Sequence, residues 1–583
     1  MATYLIFKPD AARKTCEQRI QLDLNSSTEK ADLLNELANR YNAANRVLDG
    51  GRCAVVEVGK TTSGTAMDAL AEGWNTKRTD AREPQVWTPT SSMWLDLLRE
   101  KGKGQLLRDA KPASITRSVL SVAMPKQMAD VLRREARGEP GWSDILKLAA
   151  REGGWGTVTG AKREWGKFQL GRDNPHISTS GLAATIAIYH AATLAVQKAG
   201  VTRADVDSSA VVKFVHDVES SVAHYGEDAT LFMKTLYDED QKQPEVPYIS
   251  AVVVQEQLAF LYNKGAPTGD PAQLGKGATP HNPLVAIHPA EGTVVLDHPY
   301  VVLASATPDQ RAAADDFREF LLKPEQQNRF ADFGFRDLAD RPRQDLADTL
   351  DFNVGEDLEV INPPQPDELN RMIAGWDAVR RPARVLLVLD VSGSMKELAN
   401  PSGSDNKTRL DLVKPAALKG IELLGPHDEV GLWTFSTGPP GQLPYTELVP
   451  MSPVPAVKQR LVEAVNGLQP GGDTALYRTT RAAHKAMLER LDTKLINAIV
   501  LLSDGENHEP GNPDPASQDL DLLLNEINAD RLENSVRIFT IPYSKEGHKE
   551  VLERIAVASK AGTYPASNPF DIEDVFVSVF RNF

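Results

Sequence analysis

The stretch RVLLVLDVSGSM, residues 384–395, joins a strand pattern to a cluster of oxygen-bearing side chains. Residues 385–389 form an unbroken apolar run, which is typical of a strand buried on both faces of a parallel sheet. The run is followed by Asp390, Ser392 and Ser394. Ligands of open α/β sheets bind at the carboxyl ends of the strands, and hard divalent cations prefer oxygen ligands. The stretch therefore predicts one half of a metal site.

Two downstream segments supply the other half. Residues 497–505 contain a second apolar run that ends in Asp504 and a glycine turn, and Thr474 lies in a glycine-rich loop that opens a helix. A strand-end aspartate followed by Ser or Thr helix caps is common in α/β folds. Three such segments in one chain favour a metal site over simple helix caps.

These five positions resemble the metal-ion-dependent adhesion site (MIDAS) of von Willebrand factor A (vWA) domains. The resemblance rests on the pattern Asp390-x-Ser392-x-Ser394, a lone loop Thr474 and a strand-ending Asp504. It implies that the three hydroxyls are neutral ligands of Mg²⁺ (or Mn²⁺ or Ca²⁺). It also implies that the two carboxylates bind the cation directly or through water.

The resemblance covers residues 381–583 and implies a Rossmann-like α/β domain there. A Mg²⁺ ion held largely by neutral oxygens and water stays strongly electrophilic and keeps exchangeable waters. One open position can then accept a carboxylate, so the resemblance implies a protein partner that presents an Asp or Glu side chain. It further implies that the C-terminal helix, residues 572–583, moves when the partner binds.

The totals exclude several classes of protein. A chain of 583 residues is too long for one hydrophobic core, so two or three domains are expected. A formal net charge of −15 argues against nucleic acid or an anionic membrane surface as a partner. No apolar run approaches the length of about 18 residues that spans a bilayer. Walker, His-Glu-x-x-His and Gly-x-Ser-x-Gly motifs are absent from the sequence, so we expect a protein that is not an enzyme.

Between residues 15 and 340, strand patterns are followed by polar loops and helices, the rhythm of a parallel α/β lobe. This part resembles two-lobed extracellular solute-binding proteins of the periplasmic type. The segments that carry the resemblance are VWTP at 86–89, STSG at 178–181, AEGT at 290–293 and the run from Phe317 to Gln326. The resemblance implies a type II periplasmic-binding-protein-like fold, in which two lobes close on a ligand by hinge motion.

The predicted boundaries follow from these two resemblances. Residues 1–14 are expected to be an N-terminal tail and 15–340 the solute-binding-like domain, in which lobe I comprises 15–114 and 282–340 and lobe II comprises 115–281. Residues 341–380 are charged and rich in proline, which predicts a linker ending in a short helix. The vWA domain is expected to occupy 381–583.

Within these domains, three local predictions concern single elements. The run VVKFV, residues 211–215, predicts a strand, and 220–238 predicts a helix. Residues 429–434 are predicted to be an edge strand of the vWA domain.

Hydroxyl side chains in the solute-binding-like part lie on loops that lead into helices. Backbone N–H groups and hydroxyls at such positions suit anions or polyols, although the same hydroxyls can be helix caps alone. Trp87 is a candidate floor for the pocket, with core packing as the alternative. The candidate ligand-binding residues are Thr61, Thr62, Ser63, Trp87, Thr90, Ser91, Ser178, Thr179 and Ser180.

Only two cysteines occur, Cys16 and Cys53, and each stands just before a strand pattern. In a βαβ unit two such strand starts lie side by side, so a disulfide is geometrically feasible; the alternative is two buried thiols. A disulfide implies an oxidising compartment, which places the protein outside the cell or in the cell envelope. The sequence shows no export signal, so we expect that a signal or anchor has been removed or that the start is engineered.

Three functions remain open at this point. The first is a bacterial cell-surface protein whose vWA domain binds a protein partner through a divalent metal and is carried behind a solute-binding-like module. The second is the substrate-binding component of an ABC-type transport system. The third is an intracellular vWA partner of an ATPase, which free thiols at Cys16 and Cys53 would favour.

Overall fold

The computed structural model describes residues 16–583 except 17, 49, 75–81, 197–202, 243–244, 356, 401–405, 438–441, 511, 513, 530–534 and 544–548. The predicted tail 1–14 lies outside the described residues. The chain forms two compact units. The first unit contains the chain up to Leu120 together with Gln255–Pro280 and Val295–Asp357, and the second contains Ser121–Val254, His281–Val294 and Leu358–Phe583.

Strands and helices alternate along most of the chain. The strands of the described residues are β1 (Gln18–Ser26), β2 (Arg52–Lys60), β3 (Val86–Thr88), β4 (Ser118–Pro125), β5 (Leu170–Asp173), β6 (Val222–Gly226), β7 (Ala251–Gln255), β8 (Leu284–Ile287), β9 (Val295–Leu296), β10 (Val301–Val302), β11 (Ala383–Asp390), β12 (Glu429–Phe435), β13 (Tyr445–Pro453), β14 (Ile496–Ser503) and β15 (Arg537–Pro542).

The α-helices are α1 (Thr28–Ala43), α2 (Ser63–Glu72), α3 (Met93–Glu100), α4 (Lys126–Ala136), α5 (Trp142–Ala149), α6 (Thr179–Ala195), α7 (Arg203–Val206), α8 (Ser209–Glu219), α9 (Ala229–Lys242), α10 (Glu256–Asn263), α11 (Pro308–Leu321), α12 (Pro324–Asp332), α13 (Gln344–Leu350), α14 (Pro366–Val379), α15 (Arg409–Ile421), α16 (Val454–Asn466), α17 (Leu476–Leu488), α18 (Leu520–Ile527), α19 (Lys549–Ala558) and α20 (Ile572–Phe580). Among the described residues, none of these helices is long and apolar enough to cross a membrane.

The first unit is built on a four-stranded sheet in the order β10-β3-β1-β2. Strands β1, β2 and β3 are parallel, while β10 is antiparallel to β3. Because the carboxyl ends of parallel strands meet at the same edge of a sheet, the loops after β1, β2 and β3 lie together. These loops lead into α1, α2 and α3. This edge carries the hydroxyl-bearing residues of the first unit.

The second unit contains most of a six-stranded sheet, in which β6, β5, β7, β4 and β8 are neighbours in that order and β9 pairs with the start of β4. We call this part, residues 121–254 and 281–294, the six-stranded region. Helix α6 is buried along nearly its whole length, from Thr179 to Thr193, so it is a core helix of this region.

Two local predictions for this region were wrong. Residues 211–215 belong to helix α8, and β6 interrupts the segment 220–238 that was predicted to be a single helix. The run VVKFV contains β-branched residues, yet Val211, Val215 and Val218 are buried at helical spacing. Packing of one helix face therefore outweighs the strand propensity of this run.

The second unit also contains a five-stranded sheet in the order β13-β12-β11-β14-β15, which we call the five-stranded region (residues 383–583). All its strands are parallel except β13. Leu386 and Val388 of the central strand β11 pack in a cluster with α17, α18 and α19. Val385 and Leu387 are also 0% exposed, so β11 is buried on both faces, as its apolar run predicts.

The edge of this sheet differs from the prediction. Strand β12, predicted to be an edge strand, lies between β11 and β13, and β13 forms the edge. The sequence of β13 contains two prolines and mixed polar residues, and only Val449 of this strand is fully buried. An antiparallel edge strand needs little apolar sequence because one of its sides has no partner strand, so the apolar pattern of β13 was too weak to reveal it.

The segment 341–380, predicted to be a linker with a short helix, contains α13 and α14. Leu346 and Leu350 of α13 are fully buried, and Met372 and Trp376 of α14 are at most 1% exposed. Helix α14 packs against α6 and α8 of the six-stranded region. Trp376 forms an edge contact with Tyr225, with ring centroids 5.4 Å apart.

Direct contacts join the two regions of the second unit. Arg381 Nη1 donates to the carbonyl of Val222 at 2.7 Å, and Arg381 Nη2 donates to the carbonyl of Leu495 at 3.2 Å. Lys560 Nζ donates to Glu239, and both side chains are buried. We call Val222, Glu239, Arg381 and Lys560 the regional interface. The five-stranded region is thus held by charged side chains against the six-stranded region.

Candidate metal centre

Two neighbouring strands place the acidic residues of the centre. Asp390 is the last residue of β11, and Asp504 directly follows β14. These strands are parallel neighbours, with Leu389 opposite Leu502. Their carboxyl ends therefore bring the two aspartates to the same edge of the sheet.

Hydrogen bonds connect four of the five predicted residues. Ser392 N donates to Asp390 Oδ1 at 2.8 Å, and Ser392 Oγ lies 3.0 Å from Ser394 Oγ. Ser394 Oγ donates to Asp504 Oδ1 at 2.7 Å. The two serines thus bridge the two carboxylates, although the aspartates are separated by 114 positions in the chain.

The glycine-rich loop brings the fifth residue to the same place. Gly393 N donates to Gly472 O at 2.8 Å, which ties the loop to the segment after β11. Gly472 has a φ of +81°, and a Cβ there would lie 2.6 Å from Thr437 O, so the position requires glycine. A Cβ at Gly505 would lie 3.4 Å from Thr474 Oγ1, which places this hydroxyl beside the turn of Asp504.

The electrostatics of the centre favour a cation. Asp390 is 0% exposed. Burial and the neighbouring Asp504 raise the pKa of Asp390 to about 7, against hydrogen bonds from Ser503 and Ser392 that lower it. Two buried carboxylates so close together disfavour each other's ionisation unless a positive charge lies nearby. Arg409 provides one such charge at Asp504, and a cation beside Asp390 would provide a second.

The donor set fits a hard divalent cation. It consists of two carboxylates and three hydroxyls, all oxygen, and Mg²⁺ in proteins is bound by one or two carboxylates with water completing the shell. Among the described residues no group of three or more His, Cys, Asp or Glu side chains is arranged for a metal, so a centre rich in carboxylates is absent there. The residues that would hold the cation are Asp390, Ser392, Ser394, Thr474 and Asp504.

Sequence reasoning missed two residues that shape the centre. Ser503 Oγ donates to Asp390 Oδ2 at 2.6 Å, and Arg409 Nη1 donates to Asp504 Oδ2 at 2.7 Å. Ser503 directly precedes Asp504 and could have been found from that position. Arg409 starts α15, 95 positions before Asp504, and no sequence pattern connects the two.

The candidate ligand-binding residues of the first unit lie at the edge where β1, β2 and β3 end. Ser63 Oγ lies 3.3 Å from Thr90 Oγ1, and Thr61 Oγ1 accepts from Asn25 at 3.0 Å. Thr62 Oγ1 donates to Thr65 Oγ1 at 2.8 Å inside the first turn of α2.

The two remaining candidates of this unit are Ser91, which bonds to the first turn of a helix, and Trp87, which packs in the core. Ser91 Oγ accepts from Met93 N at 3.3 Å, a local bond at the start of α3. Trp87 is 0% exposed and its indole N–H has no hydrogen-bond partner among the described residues. The structure therefore places Trp87 in the core, the alternative to a pocket floor.

The candidates of the second unit lie at the start of α6. Ser178 Oγ donates to Asp173 Oδ2 at 2.6 Å, so this hydroxyl is engaged by a buried carboxylate of the chain. Thr179 and Ser180 are buried, and the Ser180 hydroxyl has no hydrogen-bond partner in the described part of the chain. Nearby, Asn174 Nδ2 donates to Arg581 O of the five-stranded region at 3.1 Å.

Two families match different parts of the chain. Residues 22–336 match the family of bacterial extracellular solute-binding proteins, and residues 385–506 match von Willebrand factor type A domains. The predicted order of a solute-binding-like domain followed by a vWA domain is therefore confirmed, and so is the α/β fold class of both. The family matches and the Cys16–Cys53 disulfide, whose Cα atoms lie 5.7 Å apart, fit an extracellular or periplasmic location.

An uncharacterized protein of Mycobacterium tuberculosis, known from two strains, is 25% identical to the chain over 506 residues. The match covers 84% of this chain, which spans 66% of the length of that relative.

Parts of the chain are similar to solved structures at low identity. The sulfate-binding protein SubI of Mycobacterium tuberculosis is 17% identical, with 62% of this chain and 97% of SubI covered and a TM-score of 0.37. A periplasmic thiamin binding protein is 10% identical, with 62% and 97% covered and a TM-score of 0.40. A von Willebrand factor type A protein of Catenulispora acidiphila is 16% identical, with 34% and 42% covered and a TM-score of 0.27.

Proposed function

The chain belongs to the family of bacterial extracellular solute-binding proteins and carries a vWA domain behind the solute-binding domain, and on that premise we propose that it is a cell-surface protein that binds a protein partner through a divalent cation. The cation is Mg²⁺, Mn²⁺ or Ca²⁺, held by Asp390, Ser392, Ser394, Thr474 and Asp504. The partner presents an Asp or Glu side chain.

One observation carries the proposal. The serine bridge from Asp390 through Ser392 and Ser394 to Asp504 assembles oxygen donors from two strand ends at one edge of the sheet. The glycine-rich loop adds the Thr474 hydroxyl beside Asp504. Such a set supports binding of a hard cation, and it contains more neutral hydroxyls than carboxylates.

The chain's own residues define the chemistry of partner capture. A divalent cation bound here would supply an open coordination position for a carboxylate. Asp390 and Asp504 carry at most two negative charges, which a divalent cation would balance. An incoming acidic side chain would therefore meet little net repulsion. Ser503 and Ser392 hold Asp390 in place through its two oxygens, at 2.6 and 2.8 Å. The proposal assigns no catalytic residue.

A second candidate function is supported by the family match of residues 22–336: the solute-binding domain acts as the substrate-binding component of a transport system. It predicts a small-molecule ligand that raises the melting temperature of the protein whether or not Mg²⁺ is present. The third candidate, an intracellular partner of an ATPase, is disfavoured by the disulfide, because disulfides are rare in the cytosol.

The test is calorimetric titration of Mg²⁺ into the full chain and into Asp390→Ala. We expect one binding event in the wild-type protein and none in the variant, with circular dichroism unchanged. Glu463→Ala removes a carboxylate from the surface of α16 and is expected to bind Mg²⁺ like the wild type. Unchanged Mg²⁺ binding by Asp390→Ala would refute the proposed site.

The open position is tested with Mn²⁺, which reports its bound water through proton relaxation. A short peptide with one glutamate should displace that water from the Mn²⁺-loaded protein, whereas the same peptide with glutamine should not. Equal effects of both peptides would argue against capture of an acidic side chain.

A further inference from the structure

A buried polar cluster lies in the first unit at the carboxyl ends of β1 and β3. Its members are drawn from the loop before α1, the first turn of α1, the loop before α3 and the segment after β9. We call it the Glu29 cluster, and it consists of Ser27, Glu29, Lys30, Thr90 and His298.

One carboxylate oxygen is the centre of this cluster. Ser27 Oγ and Thr90 Oγ1 each donate to Glu29 Oε1 at 2.7 Å. His298 Nδ1 lies 3.7 Å from the same oxygen and is completely buried. His298 Nε2 lies 2.9 Å from Ser118 Oγ, which donates its own proton to Gln255, so Nε2 is the protonated nitrogen of this ring. The oxygen therefore accepts two hydroxyl hydrogen bonds. The imidazole beside it is neutral, because burial and Lys30 hold the pKa of His298 well below its ordinary value.

Lys30 adds a positive charge to the same place. Its side chain is 0% exposed, and Nζ donates to Ser27 Oγ and, at 2.9 Å, to the carbonyl of Thr88. Nζ lies 3.5 Å from Glu29 Oε1. Burial lowers the pKa of Lys30 to about 8, against the charge of Glu29, which raises it. A buried ammonium needs a carboxylate nearby, and Glu29 provides it.

The position in the fold is that of an anion site. Helix α1 begins at Thr28, two residues after the end of β1, so its first turn lies at the positive end of the helix dipole. Hydroxyls, a lysine and a helix start at the end of a parallel strand together suit a carboxylate, sulfate or phosphate. In this chain the position already holds a carboxylate from the helix itself.

An acidic residue in the first turn of a helix is common, because it stabilises the helix dipole. That role alone does not require burial or contacts with other elements. Glu29 is 7% exposed, and Thr90 and His298 reach it from 61 and 269 positions away. The contacts are those of a bound ligand rather than of a surface helix start.

We propose that Glu29 is a built-in ligand of the first unit: its carboxylate fills an oxyanion site formed by Ser27, Lys30 and Thr90. The wild-type site is closed to free carboxylates, sulfate and phosphate. Removal of the Glu29 side chain opens it to these anions. A solute accepted by the wild-type domain therefore presents no anionic group at this position.

The test is chemical rescue of the full-length Glu29→Ala variant. The variant is expected to have a lower melting temperature than the wild type, because Lys30 loses its buried partner. Sodium acetate restores the missing carboxylate and should raise this melting temperature, whereas sodium chloride of equal ionic strength should not. The wild type is expected to respond equally to both salts.

Asp32→Ala is the matched control. Asp32 lies on the same helix and pairs with Lys60 at 2.9 Å, but both side chains are more than one third exposed. We expect no difference between acetate and chloride for this variant. A folded Glu29→Ala that responds to acetate no more than Asp32→Ala overturns the proposal.

Direct binding provides a second readout. Titration calorimetry with sodium sulfate and with sodium phosphate is expected to show binding to Glu29→Ala at least tenfold tighter than to the wild type. Equal binding to both proteins overturns the proposal. If Glu29→Ala does not fold in chloride, refolding in acetate should recover it, and equal failure in both salts also overturns the proposal.

Discussion

Arg409 Nη1 donates a hydrogen bond to Asp504 Oδ2 at 2.7 Å, while Ser394 donates to the other oxygen of the same carboxylate. Arg409 also pairs with Glu397 at 2.9 Å. Both oxygens of Asp504 are thus engaged by the chain. A cation that draws on the charge of Asp504 has to compete with the guanidinium group.

Replacement of Arg409 by alanine should therefore strengthen Mg²⁺ binding. A hydrogen bond between charged groups contributes about 1.5–3 kcal/mol, and about 1.4 kcal/mol corresponds to a tenfold change in affinity. We expect the Mg²⁺ affinity of Arg409→Ala to rise about tenfold, measured by titration calorimetry. Arg409→Lys retains the positive charge and should stay close to the wild type. Weaker binding by Arg409→Ala would show that the guanidinium supports the metal centre instead of competing with it.

The ion pair of the regional interface should contribute strongly to stability. Burial raises the pKa of Glu239, but Lys560 outweighs burial and holds the pKa below its ordinary value. Lys560→Ala leaves the buried Glu239 carboxylate with Lys242, at 3.1 Å, as its remaining charged partner. The loss should therefore stay below the roughly 3–5 kcal/mol of a buried charge that has no partner at all. Urea unfolding followed by tryptophan fluorescence measures the loss.

The double variant Glu239→Gln with Lys560→Met is the control for this prediction. It removes both charges and keeps the volumes similar, so its loss should be smaller than that of Lys560→Ala. A double variant that is as unstable as Lys560→Ala would mean that packing, not charge, dominates this contact.

The stability of the second unit should fall as the pH rises, because of Asp173. Burial raises the pKa of Asp173 to about 8, opposed by Ser178 and Arg172 and reinforced by Asp228 and Glu227. The unfolded chain loses this proton at a pKa of about 3.9. Between these values the folded protein binds more protons than the unfolded chain, so each pH unit in this window costs up to about 1.4 kcal/mol.

Asp173→Asn keeps the side chain neutral at every pH. The melting temperature of Asp173→Asn minus that of the wild type should therefore be larger at pH 8 than at pH 5. Scanning calorimetry of both proteins at both pH values measures this difference. The same difference at pH 5 and pH 8 would show that Asp173 is ionised in the folded protein.

The disulfide should stabilise the first unit substantially. Cys16 and Cys53 are separated by 37 positions. Closing such a loop contributes about 4 kcal/mol in the chain-entropy model. We expect the variant with both cysteines replaced by serine to unfold at lower urea concentration than the wild type. The wild type treated with dithiothreitol should behave like this variant, and an unshifted urea curve after reduction would contradict the prediction.

The sequence revealed those parts of the fold and of the candidate site that depend on local pattern. The apolar run before Asp390 predicts a buried central strand, and β11 is one. The glycine-rich loop with Thr474 is placed beside Asp504, as expected from the carboxyl ends of neighbouring parallel strands. In each case the order of residues within one short segment carries the information.

Non-local contacts were beyond the reach of these patterns. Arg409 meets Asp504 only because α15 begins near the end of β14, and Glu29 lies beside Thr90 and His298, which belong to two distant segments of the chain. The run 211–215 has strand-forming residues, but the buried face of α8 decides its conformation. Tertiary packing, which the sequence does not display, determines all three.

The regional interface has a mechanical consequence. The Arg381 side chain donates hydrogen bonds to the carbonyl of Val222 at the start of β6 and to that of Leu495 just before β14, so it connects the two sheets of the second unit. Tension applied at the metal edge of β11 would run along that strand toward its start, where Arg381 stands two residues before Ala383. The force would then pass through the Arg381 hydrogen bonds into the sheet that contains β6. Force from a partner bound at the metal edge would in this way reach the six-stranded region.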